Sequence, residues 1–431
     1  MVIRKISYYR VIVSLCLFMF LLSPVFGDEI SAVSFDKELP ENNIVTIQPD
    51  SLRILHNPLT GWVLYASMGV DAADFWAQYD HMYIPELGHN VSVTDYAHTL
   101  YIRASWTDFN PQEDVYGWKI DSNLRAYIEG AYQRNMRLAF RVVVDSRDKR
   151  TEFTPQFVKD AGAKGFMNKG KWSPYSDDSV FQKYYTKFVK ALAKDFNDPS
   201  KVEFIDGFGL GKWGEYHTMI YSTGDDTPKK AVFDWVTDIY SQAFDKVPVV
   251  INYHRWIGAG KDWVDDEHFA ADSEEMLEEA IKKGYSLRHD AFGMTTYYGS
   301  WERRFAKKYR NICPIIMEGG WIVKSHSYWQ DPRGYRKDSH EDVRRGEFDD
   351  SKEAHVNMMD FRFGDTESWF KDAFDLVRRF LREGGYRLYP SEISLPLEVS
   401  KKTTPTIKHC WNNMGWGYCP TNIPQWNQKY K

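Results

Sequence analysis

Cysteine is scarce in this chain, four among 431 residues, so the fold must rest on an apolar core rather than on a lattice of bridges. Cys16 falls within an N-terminal apolar stretch, leaving Cys313, Cys410 and Cys419. Cys410 and Cys419 flank the turn-rich WNNMGWGY and could close a small disulfide loop in an oxidising compartment. Cys313 then reads as a lone packing thiol. A large excess of one charge is also lacking. The formal net charge is −5 and the Lys and Arg residues are scattered, which argues against a nucleic-acid partner. Among the 12 histidines neither His-x-His nor His-Glu-x-x-His occurs, so neither a metal nor another cofactor is expected. The run from Gly162 to Trp172, rich in Gly and Lys, lacks the Walker spacing and reads as a solvated lid.

Long apolar runs are absent beyond the start of the chain. Arg4, Lys5 and Arg10 precede an apolar core from Val11 to Leu22, and Gly27 offers a small residue for cleavage. Residues 1–27 therefore read as a signal peptide cut after Gly27, with a secreted or periplasmic product that keeps no membrane span. Residues 28–50 show no sustained period and read as an N-terminal arm. Roughly 400 residues remain, enough for one large domain and a small appendage.

What is present is a series of short buried strands alternating with amphipathic helices. Strands are expected at Gly61–Met68, Thr99–Trp106, Arg137–Asp145, from Val202, at Pro248–His254, from Tyr285, at Cys313–Trp321 and at Val356–Phe361. Helices are expected at Asp178–Phe196, Lys229–Phe244 and Asp365–Gly384. This alternation points to an α/β fold, a (β/α)8 TIM barrel over residues 51–385, with a short C-terminal β-structured appendage over 386–431.

Two stretches share one grammar. VEFIDGFGLGKWGEYH (Val202–His217) and CPIIMEGGW (Cys313–Trp321) each run from a buried strand to a glutamate set among glycine and aromatics, Glu215 and Glu318. They lie about 100 residues apart, close to three strand–helix units of roughly 30 to 35 residues, so both can stand on one face of a barrel. Two carboxylates facing across a cleft are the working parts of glycoside cleavage. Glu215, between Trp213 and Tyr216, is expected to hold its proton near neutral pH as a general acid. Aromatics make up 16% of the chain, with 16 Trp and 27 Tyr, more than a core needs and suited to the apolar faces of sugar rings.

NPLTGW (Asn57–Trp62), YIRASWTDFNPQEDVYGW (Tyr101–Trp118), LGKWGEYH (Leu210–His217) and IIMEGGW (Ile315–Trp321) resemble the clan of retaining (β/α)8 glycoside hydrolases, and within it secreted bacterial barrels described as β-galactosidase-like. The resemblance implies an acid/base Glu215 after the fourth strand and a nucleophile Glu318 after the seventh. It also implies that Arg103 supports the nucleophile and that Tyr297 donates its hydroxyl to it, with Tyr298 a neighbouring candidate. Many clan members carry Asn before the fourth-strand glutamate, where this chain has Gly214. Candidate contacts for a carbohydrate substrate are Trp62, Trp106, Trp213, His217, Asn252, Tyr253, Trp301 and Trp321, with His254 standing beside Asn252 and Tyr253 where contacts are expected and Arg141 and Asp145 at possible pocket edges. The alternatives are a carbohydrate-binding barrel without catalysis and a transglycosylase using the same two glutamates.

Overall fold

The computed structural model describes residues 42–66, 68–145, 152–260, 267–293, 297–320, 340–362, 365–402 and 404–421. The expected signal peptide and Trp321 lie outside the described residues. None of the described helices is long and apolar enough to cross a membrane. Among the described residues two compact units are present, one within 54–386 with 415–421 and one within 42–53 with 387–414.

In the larger unit eight strands close into a barrel in chain order: β1 Gly61–Tyr65, β2 Ala97–Ser105, β3 Arg137–Val143, β4 Val202–Asp206, β5 Val249–Asn252, β6 Ser286–Phe292, β7 Ile315–Gly319 and β8 Met358–Phe361. Every pairing is parallel, including the closing one of β8 to β1, where Met358 stands opposite Gly61. A helix follows each strand, from Ala72–Asp80 after β1 to the pair Thr366–Asp372 and Phe374–Glu383 after β8. This is a (β/α)8 barrel. Its strands are rich in Val, Ile and Phe because both faces are covered, the outer by helices and the inner by the opposite strands.

Period-two alternation decides which side chains enter the barrel. Val63, Tyr65, Tyr101, Ala139, Phe204, Val250, Ile316 and Met358 form the inner core. Counting two onward along each strand places Arg103, Arg141, Asp206, Asn252, Glu318 and Asp360 on the same inner face, one layer nearer the C-terminal end. The sheet is thus apolar inside at its floor and charged at its mouth.

The Lys-rich run expected as a solvated lid forms a hairpin instead, Gly165–Asn168 against Lys171–Pro174. Lys169 at φ 51° and Gly170 at φ 75° make the left-handed two-residue turn that such hairpins favour. The last helix, expected to be continuous, breaks at Ala373 (φ −148°). In the smaller unit the expected arm supplies a strand, Asn42–Thr46, that joins Leu388–Pro396 and Lys408–Asn413 in an antiparallel sheet with Ile44 opposite Ser394. Pro390 falls at that sheet's register shift, where a missing N–H is tolerated. Cys313, Cys410 and Cys419 are all free thiols, so the expected bridge is not formed.

Candidate active site

After β4 the chain does not enter a helix directly. Gly209 takes φ +69° because a Cβ there would lie 2.1 Å from the Val142 carbonyl oxygen of the neighbouring strand. Gly209→Ala is therefore expected to lower stability by at least about 2 kcal/mol in denaturant unfolding. Trp213, Tyr216 and Thr218 follow with φ of 60°, 57° and 51°, a concentration of left-handed non-glycine residues that a chain tolerates only where surrounding bonds enforce it. Those bonds run from the Tyr216 N–H to the Leu210 carbonyl (2.9 Å), from the Gly258 N–H to the Tyr216 carbonyl (2.7 Å) and from the His254 ring to the Glu215 carbonyl (2.7 Å). His254 Nδ1 accepts the Trp256 N–H at 3.1 Å, so His254 donates through Nε2 and is neutral. Burial also pushes its pKa well below the usual value. The turn holds the Glu215 side chain over the barrel mouth.

There Glu215, Asp290 and Glu318 each offer a carboxylate oxygen, all within 4.8 Å of one another. Arg141, on β3, ties the group together. Its Nε donates to Asp206 at 2.5 Å, its Nη1 to Glu215 at 2.9 Å, and its Nη2 lies 3.6 Å from Glu318. Arg288, on β6, pairs with Glu318 and, at 3.0 Å, with Asp360. Arg362, just past β8, pairs with Asp290 at 2.7 Å and approaches Glu318 to 3.8 Å. Tyr101 closes the floor, donating to Asp206 at 2.8 Å beneath the Arg288 guanidinium, which lies 4.5 Å from the ring centre. Three carboxylates at this spacing have the donor chemistry for a hard cation, but Arg141, Arg288 and Arg362 already supply the neutralising charge.

The proton assignment differs from the sequence expectation. Burial alone would raise Glu215, yet His217 beside it and the charges of Arg141 and Arg103 outweigh burial and hold it well below the ordinary carboxylate range. Glu318 is also raised by burial but lowered overall by Arg288, Arg141 and Arg362. Asp290 moves the other way. Burial lifts it to about 7, Arg362 opposes the shift, and Glu318 and Glu215 add to it.

Of the support residues, Tyr297 donates its hydroxyl to Glu215 Oε2 at 3.1 Å rather than to Glu318. Tyr298 instead accepts from the Tyr253 hydroxyl at 3.4 Å and stacks on Phe292, outside the mouth. Arg103 donates to the Trp213 carbonyl at 2.9 Å, and the cation on Glu318 is Arg288. Among the expected sugar contacts, His217 stands in the site, Nε2 3.6 Å from Glu215. Trp213 stacks edge-on against it. Four others belong to packing layers. Trp62 stacks on Phe361 at 4.2 Å and hydrogen-bonds the Val377 carbonyl, on the outer face of β1, because Val63 takes the inner one. Tyr253 likewise follows inward-facing Asn252 and packs on Phe305. Trp106 sits among Phe157, Phe181, Tyr185 and Phe188, and Trp301 stacks on Phe305 in the helix layer.

Asn252 is the exception among the polar candidates. It is fully buried on the inner face of β5, opposite Arg288, and neither carboxamide atom makes a hydrogen bond among the described residues. An unpaired buried amide costs roughly 1 to 3 kcal/mol. Asn252→Leu is thus expected to leave the unfolding midpoint no lower than wild type while kcat/KM falls about 10-fold, the value of one lost hydrogen bond to substrate.

Glu215 and Glu318 are 2% and 1% exposed, and Asp290 6%.

No family model and no curated protein matches the chain. Solved structures do show likeness. An exo-beta-1,4-mannosidase from Opitutaceae bacterium strain TAV5 aligns over 79% of this chain at 11% identity and a TM-score of 0.42, and the chain spans 58% of that protein. Endo-glycoceramidase II from Rhodococcus sp. aligns over 77% of this chain and 79% of its own at 13% identity and a TM-score of 0.44. An endoglucanase from Pseudomonas stutzeri aligns over 75% of this chain and 94% of its own at 9% identity and a TM-score of 0.42.

Proposed function

We propose that this chain is a retaining glycoside hydrolase that cleaves a β-glycosidic bond in an oligo- or polysaccharide. The observation that carries the reading is the meeting of Glu215 and Glu318, from β4 and β7, with carboxylate oxygens within 4.8 Å. Retaining pairs stand roughly 5 to 5.5 Å apart, whereas inverting pairs need roughly 6.5 to 9.5 Å to admit a water between them. Oxygens this close are in keeping with the shorter, retaining spacing, in which one carboxylate attacks directly.

Glu318 is the nucleophile. Arg288 and Arg141 keep it ionised, so an oxygen with a free lone pair faces the anomeric carbon. Glu215 is the acid/base, donating a proton to the leaving oxygen and then taking one from the water that frees the sugar. The free protein holds Glu215 ionised, so its acid step needs a proton delivered after substrate binds. Asn252, His217 and Trp213 supply the nearest groups for sugar hydroxyls and ring faces. Export through residues 1–27 would place the enzyme where polymeric sugars are found.

The test is a panel of aryl β-glycosides and β-linked polysaccharides, with the first-formed anomer of the product read by NMR. A β-anomeric first product supports the reading. An α-anomer, or no cleavage of any member by folded protein, sinks it.

A further inference from the structure

The two glutamates do not account for the third carboxylate. Asp290 reaches the centre from a part of β6 that is irregular. Its register against β7 shifts between His289 and Phe292, and Ala291 takes φ +62°, a conformation an alanine adopts only under constraint. A regular strand carrying Arg288 inward would also carry Asp290 inward, one layer higher. The bulge re-aims it at the glutamates, and the His289 ring bonds the Asp290 carbonyl to hold it there.

The surroundings of Asp290 differ from those of its neighbours. Glu215 has Arg141 and the Tyr297 hydroxyl on its oxygens, and Glu318 has Arg288 and Arg141. Asp290 has Arg362 alone on Oδ1, and that guanidinium is shared with the Gly319 carbonyl at 2.8 Å. Asp290 Oδ2 makes no hydrogen bond among the described residues. At 6% Asp290 is also the most exposed of the three. The groups that face it are Arg362 from the end of β8, Glu318 from β7, Glu215 and Tyr297 from loops, and Arg141 from β3. Three carboxylates this close cannot all ionise freely. The one with the fewest cations is the one that takes the proton. Asp360 is a rival, raised by burial and by Glu318, but both its oxygens already accept hydrogen bonds, from Arg288 and the Gly319 N–H.

We propose that Asp290 is the proton reservoir of the site, a positioning residue that loads Glu215 with the proton its acid step requires. The inference rests on the glycosidase reading. When substrate fills the site, the Asp290 proton passes to Glu215 and from there to the leaving oxygen. The bond from that oxygen to the anomeric carbon breaks as the Glu318 carboxylate bonds the same carbon. In the second step Glu215 takes a proton from water, the hydroxide oxygen bonds the anomeric carbon, Glu318 departs, and the proton returns to Asp290. One water is consumed and no net proton is released. The shift of Asp290 to about 7 places its proton in the range where such loading works at neutral pH.

Asp290→Asn tests this with methyl and 2,4-dinitrophenyl β-glycosides of a sugar the wild type cleaves. The expected result is a loss of about 100-fold or more in kcat/KM on the methyl glycoside, whose leaving group needs protonation, with less than about 5-fold on the dinitrophenyl glycoside. The wild-type fall in kcat/KM above about pH 7 should vanish in the variant. Equal losses on both substrates, or an unchanged pH profile, overturn the proposal. A second readout is stability. A carboxyl raised in the folded state binds more protons folded than unfolded between 3.8 and about 7, so it lowers stability progressively as pH rises through that window. Asp290→Asn should therefore unfold at a higher temperature than wild type at pH 8, with the difference gone by about pH 4. A variant that fails to fold at pH 8 contradicts this and counts against the proposal. Failure of the underlying reading looks different: no glycoside is cut, or Glu318→Ala is not rescued by azide.

Discussion

Glu318→Ala is expected to lose roughly 10⁴- to 10⁶-fold in kcat on any glycoside the wild type cuts, since removing a nucleophile removes a covalent path outright. The variant should lose stability but stay folded, because Arg288 keeps Asp360 and Asp206 as anionic partners. Azide added to Glu318→Ala can occupy the space vacated beside Arg288. From there it attacks the anomeric carbon of an activated β-glycoside and leaves an α-glycosyl azide. Glu215→Ala should lose less on an activated substrate, and azide there should enter in the second step and give the β-azide. The pair of products separates the two roles without reference to rate. Absence of rescue in both folded variants would mean that the two carboxylates are a structural ion cluster.

The barrel was legible because its strands bury both faces and its helices bury one, so apolar runs and amphipathic periods alternate along the chain. The site was only partly legible. Glu215 and Glu318 stood out because each ends a strand among glycine and aromatics, a local signal. Of the charges that govern them, Arg141 stood out only as a possible pocket edge, and Arg288 and Asp360 did not stand out at all. Arg288 in SLRHDAF and Asp360 in MMDF are charged residues inside strands buried on both faces, and the alternation that puts Ile316 and Met358 inside puts these inside as well. That signal was available, and the same count would have removed Trp62 and Tyr253 from the substrate contacts. The same count from Arg288 carries Asp290 inward too, but the aim of its carboxylate depends on a register shift and a left-handed Ala291 that no local pattern marks. The partner of Tyr297 was misjudged for a related reason. It follows β6 in a loop, and only the folded loop decides which of two nearby carboxylates its hydroxyl meets. Aromatic richness, finally, reads as cleft or core with equal ease, and here Trp106 and Trp301 go to packing.

Arg141→Met is expected to be the most destabilising single change in the site. Arg141 is fully buried and touches Asp206, Glu215 and Glu318 at once, so its removal strands three acids around an apolar side chain of similar length. Breaking a buried ion pair on one side costs roughly 3 to 5 kcal/mol. The pH dependence gives the effect a signature. Glu215 and Glu318 are depressed below 4.5 in the folded protein, so they contribute stability that is present above the unfolded value and lost as pH falls through the folded ones. Without Arg141 their pKa values rise and that contribution disappears. The gap in unfolding free energy between wild type and Arg141→Met should therefore be widest near pH 7 and narrow below about pH 4. Arg141→Lys should recover only part of it, since an ammonium cannot present a guanidinium's divided face to three carboxylates. A gap that stays constant from pH 7 to pH 3 would mean that packing, rather than charge, is what Arg141 supplies.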